Sequence, residues 1–299
     1  MRPNAATIMQ EAFLLMATFT NQATLSYNNV TTNSNITTGQ LLEVLSVTKT
    51  SLADTYGDRD VVTYVVSIPN SGAAPFNGLT VTDDLGGYPF GTETLYPLDY
   101  IPGSARYYIN GVLQPDPAAT TEPPLTITGI SVPAGGNATL VYQARVNQYA
   151  PLAAGGQIDN TVTVSGNGLS TPVTATATVT AETEPRLTIS KSLCPATVTE
   201  NGQLTYTFVI QNSGSQAADA DVGAVVTDTF EPVLENLVVT FDGVTWVQGT
   251  NYTSDEVTGQ FATIAGQVTV PAATYIQDPV TGQYTIQPGV AVLTAAGTV

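Results

Sequence analysis

Apolar and polar residues alternate with a period of two along this chain. In Leu45-Ser46-Val47-Thr48-Lys49 the apolar phase carries Leu45 and Val47, and Leu187, Ile189 and Lys191 repeat it. Leu79, Val81 and Asp83 share a face, as do Ala224, Val226 and Asp228, then Ile158, Asn160 and Val162, then Phe19, Asn21 and Ala23. Such alternation is that of a strand with one buried face. No stretch repeats an apolar face at helical spacing over more than about three turns. Asn110-Gly111 and Asp242-Gly243 carry the signal of two-residue hairpin turns. The expected fold is all-β.

The strands recur in order. Val47-Thr48-Lys49-Thr50-Ser51-Leu52 returns as Ile189-Ser190-Lys191-Ser192-Leu193, and Val62 to Gly72 returns as Leu204 to Gly214. Val81-Thr82-Asp83 returns as Val226-Thr227-Asp228. Internal repetition of this kind predicts homologous modules, a first over 45–183 and a second over 186–299, joined at Glu184-Pro185. In the first module the strand Ala138–Val146 is followed by Ile158–Val164, whereas the second runs to Val299 at the segment matching Val146. Lys49 and Asn160 are 111 positions apart (160 − 49), which puts the counterpart of Asn160 at 302. The second module is therefore expected to lack its final strand.

A copy of that strand stands near the other end. Phe19-Thr20-Asn21-Gln22-Ala23-Thr24-Leu25 reads like Ile158-Asp159-Asn160-Thr161-Val162-Thr163-Val164. A turn at Asn28-Asn29 and a Thr-rich strand follow, as they do after Gly166-Asn167-Gly168. Residues 18–44 thus read as a donor strand and hairpin, with Phe19, Asn21, Ala23 and Leu25 on its inward phase. An open sheet edge invites a further strand, and strand addition between molecules is the simplest way to satisfy both ends. Such a head-to-tail contact does not close and yields a filament. Closure of the second module by its own chain is the competing arrangement.

Composition narrows the function classes. The 299 residues suffice for two domains, and only 10% are charged. A formal net charge of −17 with seven basic residues argues against nucleic acid and anionic membranes, and no run is long enough to span a bilayer. There is no histidine, which removes the usual general base and most zinc sites, and the single Cys194 permits no intrachain disulfide. No cofactor and no enzyme activity are expected. The leader, residues 1–17, has one Arg and a short apolar stretch, Ala12–Met16, too short for a signal-peptide core. Met16 is an alternative start, and no clear signal peptide is visible.

The order of motifs from Val47 to Val164, and again from Ile189, resembles the bacterial surface repeat family catalogued as domain of unknown function eleven. The resemblance covers nearly the whole chain after residue 17. It implies immunoglobulin-like β-sandwiches in large cell-surface proteins, and a structural role.

Lys49, Asp83 and Asn160 all fall on buried strand phases, and Lys191, Asp228 and Asn21 fall at matching places. Burying a charge costs several kcal/mol unless it is paired, and a dry core pushes lysine toward its neutral amine and aspartate toward its neutral acid. A neutral amine beside an asparagine amide can attack it and expel ammonia, leaving an isopeptide bond. This is similar to the self-cross-linking domains of pilins and adhesins. Lys49–Asn160, assisted by Asp83, would lock the first module, and Lys191 with Asp228 would bond Asn21 of a neighbour. A hydrogen-bonded cluster without the bond would fix register equally well, and Asp84 is an alternative acid.

Other signals are weaker. Asp54, Asp58 and Asp60, and Asp219 with Asp221, lack an ordered calcium-ligand spacing. Tyr96, Tyr100, Tyr107, Tyr108 and Trp246 read as cross-strand filling more than a sugar-stacking surface, and Cys194 as a packed loop thiol. The expected role is a structural subunit of an extracellular, cell- or spore-surface fibre whose partner is itself. The alternative is a monomeric surface adhesin that binds a host or matrix ligand.

Overall fold

A computed structural model describes residues 16–299. The segment 1–15, with most of the expected leader, lies outside the described residues. Among the described residues the chain is all-β but for one 3-10 turn at Ala220–Val222.

It begins with strands β1 (Met16–Asn21), β2 (Thr24–Tyr27), β3 (Val30–Asn33) and β4 (Thr37–Leu42). They form a single bent hairpin: β1 pairs with β4, β2 with β3, and none pairs with any other described strand. Asn28 and Asn29, both at positive φ (44° and 62°), make its two-residue turn. The pairing slips by one residue between Asn21↔Thr37 and Thr24↔Asn33. Ala23 at that slip is paired instead through Ser34.

The first sandwich comprises β5 (Thr48–Ser51), β6 (Thr55–Tyr56), β7 (Val61–Pro69), β8 (Phe76–Asp83), β9 (Tyr88–Phe90), β10 (Glu93–Leu95), β11 (Leu98–Tyr100), β12 (Arg106–Ile109), β13 (Val112–Leu113), β14 (Ala118–Ala119), β15 (Leu125–Val132), β16 (Asn137–Val146), β17 (Gln157–Ser165) and β18 (Val173–Ala181). One sheet has the order β13-β12-β16-β7-β5, and the other β14-β15-β8-β17-β18-β6. Inward positions such as Tyr64, Val66 and Ile68 on β7, Leu79 on β8 and Leu140 on β16 are fully buried between them, as period-two alternation requires.

The second sandwich comprises β19 (Leu187–Cys194), β20 (Gln203–Asn212), β21 (Thr227–Thr229), β22 (Glu235–Phe241), β23 (Val244–Thr245), β24 (Tyr252–Ser254), β25 (Gln260–Thr263), β26 (Thr274–Gln277), β27 (Tyr284–Gln287) and β28 (Gly289–Thr298). Its first sheet, β19-β20-β28-β22-β23, matches the first sheet of the preceding module. Its other sheet is only β21-β25-β24, corresponding to β8-β15-β14. Nothing among the described residues takes the places of β17, β18 and β6.

The offset between modules is 142 at the lysines (191 − 49) but 153 at the last shared strand (299 − 146), where Val146 and Val299 make the same backbone bond to Asp60 and Gly202. The constant spacing that located a counterpart of Asn160 at 302 is therefore corrected. Most of the change is an insertion carrying the β26–β27 hairpin. This hairpin reaches back onto the first sandwich, where Tyr275 and Ile286 pack against its core. Tyr284 N–H donates to Gln148 O at 2.8 Å, and Gln277 Nε2 donates to Tyr88 Oη at 3.2 Å. Gly282 at the tip has a positive φ (+72°) that favours glycine, and the end of the Leu95 side chain lies 2.2 Å from where a Cβ would be.

Candidate functional site

Strand register in the first sandwich assembles a buried polar cluster. Lys49 on β5 and Tyr64 on β7 belong to one sheet, Asp83 on β8 and Asn160 on β17 to the other. Val162, two residues beyond Asn160, pairs with Asp83, so both side chains enter the core from neighbouring strands. Lys49 Nζ lies 2.6 Å from Asp83 Oδ2 with both side chains essentially inaccessible, and 4.7 Å from the centroid of the Tyr64 ring. Tyr142, stacked on Tyr64 with centroids 5.8 Å apart, donates its hydroxyl to the same Oδ2. Leu85 N–H donates to Oδ1 at 2.8 Å.

Burial pushes the Lys49 ammonium below its usual range, against the Asp83 and Asp84 charges that raise it. The Tyr142 hydroxyl is held well above its range, first by burial and then by the Asp83 charge. Lys49 hydrogen-bonds to Asp83 and not to Asp84. Asp84 caps the strand end, accepting from Thr161 N–H and Gly86 N–H, and burial raises its carboxyl.

Asn160 is the anomaly of the cluster. It is fully buried, and neither its amide atoms nor the neighbouring Tyr64 hydroxyl has a hydrogen-bond partner. Leaving a buried polar group unpaired costs about 1–3 kcal/mol. Sequence alternation located Lys49, Asp83 and Asn160; it passed over Tyr64 and Tyr142, which look like ordinary core aromatics until their hydroxyls are placed.

In the second sandwich the matching lysine is exposed and the matching aspartate only half-buried. Lys191 pairs with Asp228 and lies 4.3 Å over the Tyr206 ring, but 39% of its side chain is accessible. Ile189 and Leu193 beside it are about half exposed. Lys191 keeps the inward strand phase expected of it, and among the described residues no strand covers it. An apolar groove lined by Leu187, Ile189, Ile210, Val225, Val226 and Val268 marks the uncovered face. Asp228 sits on β21, whose outer edge is unpaired, and Tyr142 has Ala295 as its counterpart (Tyr142↔Tyr64, Ala295↔Tyr206).

The donor residues are likewise uncovered. Phe19 and Leu25 are about 60% exposed, and Asn21 and Ala23 are exposed. Within the hairpin the Phe19 ring lies across Gly39, where a Cβ would come within 2.3 Å. Their counterparts Ile158 and Val179 face each other in the first sandwich, so a large–small pair replaces two medium residues. The hairpin and the uncovered face are separate in this chain: Asn21 is not brought to Lys191.

The remaining candidates resolve as structure. Tyr100 and Tyr107 are buried, Tyr107 donating to Ser131 O, and Trp246 stacks on Phe241; they form no aromatic platform. Asp60 accepts from Gly57 N–H and faces Arg186 at 3.8 Å, and among the described residues no acidic cluster is grouped for an ion. Cys194 is exposed, which corrects its reading as a packed thiol.

Comparison with family models finds no match, and comparison with curated proteins finds none either. Solved structures give weak likenesses. The major pilin subunit of Bacillus cereus is 12% identical with a TM-score of 0.36, over 90% of this chain and 70% of that one. The 35 kDa fragment of the major pilin of Streptococcus agalactiae is 12% identical with a TM-score of 0.33, over 83% and 91%. The pilus backbone protein of Streptococcus pneumoniae is 12% identical with a TM-score of 0.33, over 82% of this chain and 55% of that one, so this chain spans little more than half its length. Glycoside hydrolases from Clostridium perfringens and Vibrio harveyi show likenesses of the same order. At this level the comparison assigns no role.

Proposed function

We propose that this protein is a structural subunit of a cell- or spore-surface fibre, built head to tail when the β1–β4 hairpin of one copy completes the second sandwich of the next. One observation carries the reading. Among the described residues no strand flanks β21 where the first sandwich has its closing hairpin, and a hairpin of matching sequence stands unpaired at residues 16–42. Seating it would pair the free β21 edge, cover Ile189 and Leu193, and bury Phe19 and Leu25. Each large apolar side chain fully buried in this way stabilises the contact by about 1.5–3 kcal/mol. The repeats would then be surface modules of the family they resemble.

The orphaned Asn160 supports a covalent refinement. Lys49 Nζ, as a neutral amine, attacks the side-chain carbonyl carbon of Asn160; a C–N bond forms, the C–NH₂ bond breaks, and ammonia leaves with the amine proton. Asp83 sits where it can relay that proton. The same step between Lys191, with Asp228, and Asn21 of the next copy would make the fibre covalent, once the seated hairpin excludes water from Lys191.

Denaturing electrophoresis with intact-mass measurement tests both layers. Ladders of covalent multimers and the loss of one ammonia per bond are expected. A full-mass monomer from native filaments would remove the covalent step and keep the fibre; protein that never forms filaments would remove the fibre.

A further inference from the structure

In the first sandwich the closing hairpin is held on both flanks. β17 pairs with β8, and β18 pairs in parallel with β6, Thr180 opposite Thr55 and Ala181 opposite Tyr56. Thr180 N–H donates to Asp54 O at 3.0 Å, and Glu182 N–H to Tyr56 O at 2.9 Å. β6 is the continuation of β5 after it has crossed from one sheet to the other.

The second sandwich repeats this segment at a constant offset of 142 (191 − 49, 206 − 64). The turn with Arg59 at φ 62° recurs with Asn201 at φ 57°, and its bond from Asp60 N–H to Gly57 O recurs from Gly202 N–H to Thr199 O. Thr55 and Tyr56 therefore correspond to Thr197 and Val198. These two lie in no ladder, and Val198 is half-buried where Tyr56 is fully buried.

We propose that Ala196–Val198 is a second docking edge, which receives β4 of the next copy. This deepens, and rests on, the strand-exchange reading above. The hairpin's own register sets the pairing. Asn21 opposes Thr37 as Asn160 opposes Ala177, so Gln40 and Leu41 take the places of Thr180 and Ala181. Gln40 N–H then donates to Ala196 O, and Leu42 N–H to Val198 O, of the acceptor. Pro195 lacks an N–H but lies outside these bonds. The arm enters as a two-stranded wedge between Thr227–Thr229 and Ala196–Val198, and the latter becomes a strand only on assembly.

Cross-linking between separate chains tests this. Cys194, an exposed free thiol, is first replaced by Ser throughout. Full chains carrying Gln40→Cys are mixed with chains carrying Thr197→Cys, oxidised mildly, and searched for the disulfide-linked peptide by mass spectrometry. Thr24→Cys with Thr227→Cys, counterparts of the facing Thr163 and Thr82, reports the first strand independently. Both pairs are expected to close. The 40–197 product should exceed that of an off-register Gln40→Cys/Gln203→Cys mixture by roughly tenfold, because bridged Cα atoms must lie within about 7 Å. Closure of 24–227 without 40–197, or equal yield off register, would overturn the second edge and leave strand exchange standing. Closure of neither pair would overturn both.

Discussion

The two sandwiches carry the same lysine and aspartate on matching strands, and they differ in what lies over them. Lys49 is sealed beneath β17 and β18, whereas Lys191, with the same strand phase and the same kind of partner, is two-fifths exposed. Ile189 and Leu193 are exposed with it. The contrast separates two properties that a strand pattern merges: which face a side chain occupies, and whether that face is inside anything. Under the proposed strand exchange the first sandwich is what the second becomes when a hairpin is supplied, so the strands that lie over Lys49 and not over Lys191 describe the contact to be made.

The contrast can be erased. Fusing a second copy of residues 16–42 behind Val299 through a flexible linker supplies the missing hairpin within the same chain. Assembly should fall from polymers to monomers, the largest change expected, read by sedimentation velocity. Polymers formed as readily by the fused chain would show that the open face is not the point of contact.

The closed sandwich gives a sharper chemical test. Asn160→Ala removes the acceptor amide while keeping the Lys49–Asp83 pair. A bond across a loop of 111 residues (160 − 49), treated like a disulfide closing a similar loop, is worth about 4–5 kcal/mol, so urea unfolding should show a loss of that order. The variant should also acquire a pH slope. Burial lowers the folded pKa of Lys49, so between that value and 10.5 the unfolded chain binds more protons, and stability rises with pH across the window. An amide-linked Lys49 cannot titrate, and the parent should lack this slope. Equal stability and equal slopes in both proteins would mean that no bond forms.

The smallest effect concerns the junction. Replacing residues 274–287 with a short turn removes the hairpin that packs on the first sandwich through Tyr275 and Ile286. Stability should fall by no more than about 3 kcal/mol, since both side chains are only partly buried, while small-angle scattering shows a wider spread of domain orientations. An unchanged scattering profile would mean that the linker alone sets the geometry.

Much of this was legible in the residues. Alternation and repetition located both modules, the unpaired edge, the spare hairpin and the Lys49–Asp83 pair, because strand period and local similarity are properties of the chain itself. What escaped depended on tertiary placement. The β26–β27 insertion changes the offset between modules, and it looks like any loop until it packs on Phe90 and Leu95. Tyr142 reads as filler in an alternating strand, yet its hydroxyl reaches Asp83 across the sandwich. The slip near Ala23 is invisible to a pattern that counts in twos, because Ser34 supplies the missing pairing from the opposite strand.

Sedimentation of the intact chain beside one lacking residues 16–27, over a common concentration series, addresses strand exchange most directly. The intact chain should form polymers that lengthen with concentration, and the shortened chain should stay monomeric with its first sandwich folded. Polymers of equal length from the shortened chain, or an intact chain that remains monomeric throughout, would contradict it.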